Sequence, residues 1–385
     1  MDRTRPRGPA LLLALALSVG FEGPALASPG TSAWTRQFGT RRADEAQAVA
    51  LDGSGNAYVV GWTFGTLPGQ APAGTVDAFV RKVDSKGNEL WTRQFGSWDS
   101  DFARSVAVGP SGDAYVVGET EGTLPAQHSS GGRDAFIRRY DRDGTVRWTR
   151  QFGGPGGDGA TGVAVDAAGD AYVVGTTAAS LPGQTWAGDY DAFIRKYDVT
   201  GDELWTRQFG SPADDYGVAV GLDRLGNPTV VGSTDGTLPG ETSAGGTEAF
   251  LRRFDPTGTP LWTHQFGTGS ADEGWGVAID QTGNTYVVGT TEPRGSLTQT
   301  APAKTHCFAR KYGAGGEELW MKLFGTDDTD LAFSVAVDES GHPYLAGSTK
   351  GILAGQASRG ERDAYLMRFA SDSEAPNDQS RDDDE

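Results

Sequence analysis

The sequence predicts an all-β protein made of six copies of one four-stranded sheet, and three observations support this prediction. Tryptophan recurs at intervals of 57 or 58 residues, and an aspartate follows each of these tryptophans by ten residues. Glycine is abundant, at 57 of 385 residues, which suits short strands joined by tight turns. An internal repeat of this length is expected to fold as an array of similar units. The repeated tryptophans are Trp34, Trp91, Trp148, Trp205, Trp262 and Trp320.

Each unit contains the same four strand signals in the same order. The first is a short apolar run such as "SVAV", which a turn such as "DGSGN" joins to a second run, "YVVG". A longer loop containing "LPG" leads to the third strand, "DAFVRKVD", and the turn "SKGN" leads to the fourth, "LWTRQFGS". The two glycine-containing turns predict hairpins, and apolar residues on both strand faces predict a sheet that is covered on both sides. Such sheets arranged radially form a β-propeller; a linear β-solenoid is the competing arrangement.

The two ends of the repeat array predict how the ring closes. The first tryptophan strand, "AWTRQFG", has no hairpin partner before it, and the last unit ends at a third strand, "DAYLMRF". The N-terminal strand is therefore expected to become the fourth strand of the last blade. This predicts a six-bladed β-propeller with four antiparallel strands per blade, its ring closed by the N-terminal strand completing the last blade.

The repeat unit resembles that of a known bacterial family. One unit reads "GVAVDAAGDAYVVGTT", then "DAFIRKYD", then "GDELWTRQFG", which is similar to the seven-bladed beta-propeller repeat (SBBP repeat) family. The resemblance extends over about residues 33–369. It implies the blade fold and carries no activity with it, so ligand and function must be inferred from other residues.

Two terminal segments lie outside the predicted propeller domain, residues 28–369. In residues 1–27, three arginines precede the apolar run "ALLLALALSVGF", and "ALA" at 25–27 supplies small residues before a cleavage point, as in a signal peptide. We expect cleavage after Ala27 and export to the periplasm or the exterior, with a retained N-terminal anchor as the alternative. Residues 370–385 carry seven acids and one arginine, which predicts a disordered acidic tail.

Composition argues against several classes of partner. The formal net charge of −18 opposes nonspecific attraction to nucleic acid or anionic lipid. Cys307 is the only cysteine, so the chain has neither an intrachain disulfide nor a cysteine-rich metal site. No stretch after the signal-like segment is long and apolar enough to span a membrane. We therefore expect no nucleic-acid partner, no membrane span and a monomer.

Two acidic series recur with the repeat, and the first supplies the candidate metal ligands. Its carboxylates could bind Ca²⁺ through oxygen ligands. The alternative, favoured by the wide spacing, is that each carboxylate accepts backbone N–H bonds and stiffens the loop into the next blade. The second series starts the third strand, and its expected role is charge pairing with neighbouring basic residues. No other cofactor is expected. The first series is Asp44, Asp101, Asp158, Asp215, Asp272 and Asp330; the second is Asp77, Asp134, Asp191, Glu248 and Asp363, with His306 in the fifth unit.

Aromatic residues that do not follow the repeat are the candidate ligand-binding residues. The two short turns of each unit lie at one end of the strands, so the longer connections, "FGTRRADEAQ" and "WTFGTLPGQAPAGTV" in the first unit, lie at the other. Loops on a rigid scaffold commonly form binding sites, and aromatic rings stack on sugars or anchor protein interfaces. The alternative is that each ring packs only its own loop. The candidates are Trp62, Trp98, Trp186, Trp275, Phe64, Tyr190 and Tyr216.

These observations predict an exported binding or scaffold module that engages a glycan or a protein of the cell envelope or exterior. One alternative is a glycan hydrolase or lyase that uses carboxylates near the central channel. Another is a cell-surface structural protein stiffened by calcium. No catalytic residue is proposed. His306 and Cys307 are adjacent on one strand and point to opposite faces, so they cannot act as a base and nucleophile pair.

Overall fold

The computed structural model describes residues 34–292, 305–357 and 360–370. Within these ranges the chain forms twenty-three β-strands and no helix, and so contains no helix that could cross a membrane. The strands form six sheets that follow one another along the chain. The predicted signal peptide, residues 1–27, and residues 371–385 of the predicted tail lie outside the described residues.

The strands recur at equivalent positions in each blade. Blade 1 comprises β1 (Asp44–Leu51), β2 (Ala57–Thr63), β3 (Asp77–Val83) and β4 (Glu89–Phe95). Blade 2 comprises β5 (Asp101–Val108), β6 (Ala114–Thr120), β7 (Asp134–Tyr140) and β8 (Val146–Phe152). Blade 3 comprises β9 (Asp158–Val165), β10 (Ala171–Thr177), β11 (Asp191–Tyr197) and β12 (Glu203–Phe209).

The remaining three blades continue this pattern, and the last has one strand fewer. Blade 4 comprises β13 (Asp215–Leu222), β14 (Pro228–Thr234), β15 (Glu248–Phe254) and β16 (Pro260–Phe266). Blade 5 comprises β17 (Asp272–Ile279), β18 (Thr285–Thr291), β19 (His306–Tyr312) and β20 (Glu318–Phe324). Blade 6 comprises β21 (Asp330–Val337), β22 (Pro343–Thr349) and β23 (Asp363–Arg368).

Within each blade, consecutive strands pair antiparallel in chain order. Five sheets have four strands and the last has three. The first strand pair of every blade contains a shift in register, which in blade 1 falls between Ala46 and Ala48. Such bulges increase the local bend and twist of a sheet. The prediction of an all-β, six-bladed propeller is confirmed.

The hydrophobic core lies between neighbouring blades. The first strand of each blade packs against the first strand of the next, from β1 and β5 through to β17 and β21, so these strands line the centre. Between blades 1 and 2, Val60 and Ala78 pack in one fully buried cluster with Val116 and Phe136. Because neighbouring blades cover both faces of a sheet, β3 is buried at every position. This explains why the strands show little alternation of polar and apolar residues.

The repeated tryptophan joins the outer strand of one blade to the next blade. The Trp91 indole N–H donates to the carbonyl of Arg142, in the turn between β7 and β8, at 3.0 Å. Its ring lies against Gly144, whose φ of 79° favours glycine and where an added Cβ would come within 2.7 Å of the ring. Arg93 Nε also donates to the Gly144 carbonyl, at 2.8 Å. The same indole bond runs from Trp34 to Ser85, from Trp148 to Val199, from Trp205 to Pro256 and from Trp262 to Ala314.

The N-terminal segment, residues 34–39, docks on blade 1 in the way that a fourth strand docks on the following blade. The Trp34 indole donates to the Ser85 carbonyl at 3.0 Å, and Arg36 Nε donates to the Gly87 carbonyl at 2.9 Å. The Phe38 ring meets the Phe79 ring edge-on, with centroids 5.7 Å apart. The segment therefore occupies the place beside blade 1 that the sequence predicted for it.

The structure differs from the predicted ring closure in one respect. In the described part of the chain, β23 forms a ladder only with β22, so the last sheet has three strands. Ala364 and Leu366 on β23 are exposed, whereas their blade 2 counterparts, Ala135 and Ile137, are fully buried. The physical reason is that the N-terminal segment is held by side-chain contacts. Trp34, Arg36 and Phe38 bind it to blade 1, and these contacts do not require backbone hydrogen bonds to β23.

Candidate functional site

One end of the blades carries the longest connections and is called here the loop face. In blade 1 it comprises the loop 64–76 between β2 and β3 and the crossing 96–100 from β4 to β5. The turns 52–56 and 84–88 lie at the opposite end. The prediction of two long connections per unit is wrong for the crossing, which is as short as the turns. The crossing is also tied to the long loop, because Ser100 forms a parallel bridge with Val76.

A glutamine of the outer strand holds each of the first four long loops in place. In blade 1, Gln94 Nε2 donates to the Gly65 carbonyl at 2.9 Å and to Asp77 Oδ2 at 2.6 Å, while its Oε1 accepts from the Leu67 N–H at 2.8 Å. Leu67 itself is fully buried. The fifth unit has Leu323 at the glutamine position and lacks the "LPG" sequence. Equivalent bonds are made by Gln151, Gln208 and Gln265.

Acidic residues of the two series meet in pairs at the junctions between blades. Asp101, which begins β5, accepts the Ser97 N–H at 2.6 Å, and this bond shapes the crossing. Its Oδ2 lies 2.4 Å from where a Cβ on Gly96 would stand, and Oδ1 of Asp77 lies 2.8 Å from the same point. A side chain at Gly96 would collide with both carboxylates. This explains the glycine that ends each "QFG" motif, which sequence reasoning had not assigned.

Burial raises the pKa of three first-series carboxyls, and the neighbouring second-series carboxylate adds to the effect. The pKa of each rises to about 6 at Asp101, Asp158 and Asp215. The groups that contact these carboxyls are mainly backbone N–H and hydroxyl donors, whereas a calcium site needs further oxygen acceptors. In the ranges that the structure describes, no three His, Cys, Asp or Glu side chains are placed to share a metal ion. Calcium binding by the first series stays a prediction.

Aromatic rings from blades 1 and 2 come together at the loop face. The half-buried Trp62 contacts Phe64 edge-on at 5.6 Å between centroids and Phe102 at 6.0 Å. Phe102 was not among the sequence candidates. The signal that could have found it is the second position of the first strand, which varies from unit to unit, as the fourth position does, while the aspartate before it is constant. The second position holds Glu45, Phe102, Gly159, Tyr216, Glu273 and Leu331.

Arginines flank these rings on both sides. The Arg104 guanidinium lies over the Phe102 ring at 5.0 Å and pairs with the buried Glu119 at 2.5 Å. Arg133 reaches the other oxygen of Glu119 at 3.2 Å. On the blade 1 side, the segment 39–43 that leads into β1, called the first crossing, contributes two exposed arginines to a depression of about 440 Å³ that Phe64 also lines. The blade 1–2 patch is defined as Arg41, Arg42, Trp62, Phe64, Phe102 and Arg104.

The other aromatic candidates are spread over the loop face. Tyr190 and Tyr216 stack with centroids 5.8 Å apart, and the Tyr216 hydroxyl donates to Asp214 at 2.9 Å. The Trp275 indole donates to the Thr290 hydroxyl at 3.2 Å. Trp98 is 73% exposed and Trp186 is 49% exposed. The structure thus joins two pairs of the predicted residues, Trp62 with Phe64 and Tyr190 with Tyr216, and keeps the rest apart.

The histidine and cysteine of the fifth unit have separate surroundings. His306 Nδ1 and Asp330 Oδ2 both lie close to Gly325, so the histidine replaces the second-series acid at that junction. Cys307 is buried, with Sγ 3.4 Å from the Tyr365 hydroxyl, and burial raises the pKa of its thiol to about 12. A thiol with this pKa is not a nucleophile at neutral pH.

Comparison with known proteins identifies the repeat. The model of the SBBP beta-propeller repeat matches residues 33–67, 90–124, 147–182 and 261–292. The regulatory protein FlaEY of Caulobacter vibrioides is 28% identical over 257 residues, which covers 61% of this chain and 26% of that protein. An uncharacterized WD repeat-containing protein of Acanthamoeba polyphaga mimivirus is 27% identical over 169 residues, covering 37% of this chain and 12% of that protein. The chain therefore spans about a quarter of the first relative and less of the second.

Solved structures are similar at low sequence identity. An α-L-arabinofuranosidase from Fusarium graminearum has a TM-score of 0.47 and 11% identity, covering 83% of this chain and 91% of that one. The Pan2 WD40 domain of Neurospora crassa has a TM-score of 0.45 and 10% identity, covering 78% and 75%. Neither similarity bears on ligand or activity. The chain therefore contains SBBP beta-propeller repeats, matched at four positions, within a fold of six blades.

Proposed function

We propose that this protein is an exported binding module whose loop face holds a glycan of the cell envelope or exterior. The observation that carries the proposal is the contrast between a constant blade frame and a variable loop face. Trp98 is largely exposed there and Trp186 is about half exposed, and the half-buried Trp62 contacts two further rings. Large exposed rings on one face are typical of binding surfaces, and their flat faces suit the C–H faces of sugar rings.

The rigidity of the loop face supports a binding role. The glutamine bonds and the buried leucine hold each of the first four long loops to its own outer strand. A ligand that binds preordered loops loses less affinity to the ordering of side chains and backbone. A protein partner anchored by the same rings is the second candidate, because exposed tryptophans also form the centres of protein interfaces.

Catalysis by the paired carboxylates has less support. Asp101 and Asp134 are fully buried at the blade junctions, and a general acid must reach the bond that it protonates. A hydrolase or lyase would have to use half-buried carboxylates of the inner strands instead, such as Glu45 or Glu273. Export itself rests on the signal-like residues 1–27.

The proposal is tested with the chain from residue 28 and a Trp98→Ala/Trp186→Ala variant. Both tryptophans are exposed, so the variant should melt like the native protein. A matched control, Leu90→Ala/Leu225→Ala, removes two exposed apolar side chains away from the loop face. Retention of all three proteins is measured on polysaccharide and protein fractions of the host envelope and medium.

Retention on a polysaccharide fraction that falls only in the tryptophan variant supports the proposed function. Retention on a protein fraction with the same dependence would instead support the protein partner. Equal retention of all three proteins, or retention of none, would refute a binding site on the loop face.

A further inference from the structure

The charge of the loop face differs sharply from blade to blade. The first crossing carries Arg41 and Arg42, the fourth carries Asp214, and the last carries Asp327 and Asp328. The whole chain has a net charge of −18, so adjacent arginines on one crossing depart from its general composition. Within the described residues, neither of the two arginine side chains forms an ion pair or donates a hydrogen bond.

The two arginines lie beside the aromatic rings of the blade 1–2 patch. They line the same depression as Phe64, and the contacts from Phe64 to Trp62 and from Trp62 to Phe102 continue the patch into blade 2. At its far end, the Arg104 guanidinium covers the Phe102 ring at 5.0 Å. The patch thus combines flat apolar surfaces with guanidinium groups on both sides.

The charge at the far end also exceeds what its acid neutralises. Glu119 is the partner of both Arg104, at 2.5 Å, and Arg133, at 3.2 Å. One carboxylate between two guanidinium groups leaves a net positive charge. Glu45, which lies opposite Trp62 in the β1–β2 pair, is a second acid at the patch. Arg41, Arg42, Arg104 and Arg133 still outnumber the two carboxylates, which suits an anionic ligand and not a neutral one.

We infer that the blade 1–2 patch binds an acidic polysaccharide, with its rings against sugar faces and its arginines on carboxylate or sulfate groups. The inference rests on the proposed function and names its ligand class. Stacking needs ring-shaped units with apolar faces, and guanidinium groups pair with planar or tetrahedral anions through several N–H donors. Nucleic acid has both features, but the net charge of −18 opposes a polyanion of that charge density.

The test uses pairs of polysaccharides that differ only in charge. The probes are polygalacturonate with its methyl ester, and a sparsely sulfated dextran with dextran. Affinities are measured for the chain from residue 28, for Arg41→Gln/Arg42→Gln, and for the control Lys86→Gln/Arg147→Gln, which removes the same charge from exposed positions on turns and an outer strand. All three proteins should have the same melting temperature.

The native protein is expected to bind at least one acidic probe. Its affinity for the neutral partner of that probe should be lower by about tenfold or more, and so should the affinity of Arg41→Gln/Arg42→Gln for the acidic probe. The control variant should bind within about twofold of the native protein. Binding of neutral and charged probes alike would overturn the inference while leaving the proposed glycan binding in place. Binding of neither acidic probe would overturn the inference, and the envelope-fraction experiment would then show whether glycan binding as a whole fails. Equal, arginine-dependent binding of poly-L-glutamate would also overturn it, because the patch would then recognise charge without sugar rings.

Discussion

Replacement of Trp148 by alanine should destabilise the protein by about 3–5 kcal/mol. The ring is 9% exposed and packs against Tyr115 and Tyr197 at centroid distances of 6.0 and 6.1 Å. It also lies on Gly201, and its N–H donates to the Val199 carbonyl at 3.1 Å. Burying such a ring removes roughly 150–250 Å² from water, or about 4–6 kcal/mol at 25 cal/mol per Å², an upper figure because unfolded chains also bury surface. Measured replacements of buried aromatic residues by alanine cost about 3–5 kcal/mol.

The assay is guanidinium unfolding followed by far-ultraviolet circular dichroism, with the melting temperature as a second readout. Trp98→Ala is the matched control, because Trp98 is 73% exposed, and its free energy of unfolding should change by less than about 0.5 kcal/mol. A Trp148→Ala shift no larger than that of the control would refute the claim that the repeated tryptophan fastens one blade to the next.

Three further predictions concern the blade junctions and the long loops. Gly153→Ala should cost about 1–3 kcal/mol, because its methyl group would lie 2.5 Å from both Asp134 Oδ1 and Asp158 Oδ2; an unchanged denaturation midpoint would contradict this. The folded pKa of Asp158, about 6, lies above its ordinary value of 3.8, so its contribution to stability is complete below pH 3.8 and is lost as the pH rises through 6, by up to about 3 kcal/mol. Thermal melts from pH 4 to 7.5 should therefore show a steeper loss for the native protein than for Asp158→Asn, and parallel profiles would count against the raised pKa. Gln151→Leu should free the N–H of Leu124 and speed proteolysis within 121–133, whereas cleavage at the native rate would show that the glutamine does not hold the loop.

The blade frame could be predicted from the sequence because the same packing problem recurs at every junction. The spacing from Trp91 to Asp101 follows from the short crossing between an outer strand and the next inner strand. The glycine-containing turns mark the strand ends at one end of each blade. The missing ladder between the N-terminal segment and β23 could not be predicted. The repeated side chains of the segment bind blade 1, whereas a ladder with blade 6 would use backbone groups, so the repeat in the sequence does not show whether the ladder forms.

The candidate site was predictable only in part. Trp62 and Phe64 stand out because tryptophan and phenylalanine break the repeat there. Phe102 and Arg104 lie within β5, whose other positions follow the repeat of buried residues. Whether these two side chains reach the loop face depends on β5 being the innermost strand of its blade, which the sequence alone does not show. Glu119 belongs to the site because it forms ion pairs with Arg104 and Arg133. Ion pairs between residues of different strands and loops cannot be read from a single sequence.

The indole bond runs in one direction, from Trp34 to blade 1 and from each of blades 1–4 to its successor, and this has a consequence for how the molecule opens. In a repeat protein, stability is approximately a sum of unit terms and nearest-neighbour terms, so units at an end open first. Blade 6 has three described strands and packs on blade 5, whereas blade 1 has four strands and is also covered by residues 34–39. Amide hydrogen exchange should therefore begin in β21–β23, and a molecule frayed at that end would keep blades 1 and 2, with their basic aromatic surface, intact.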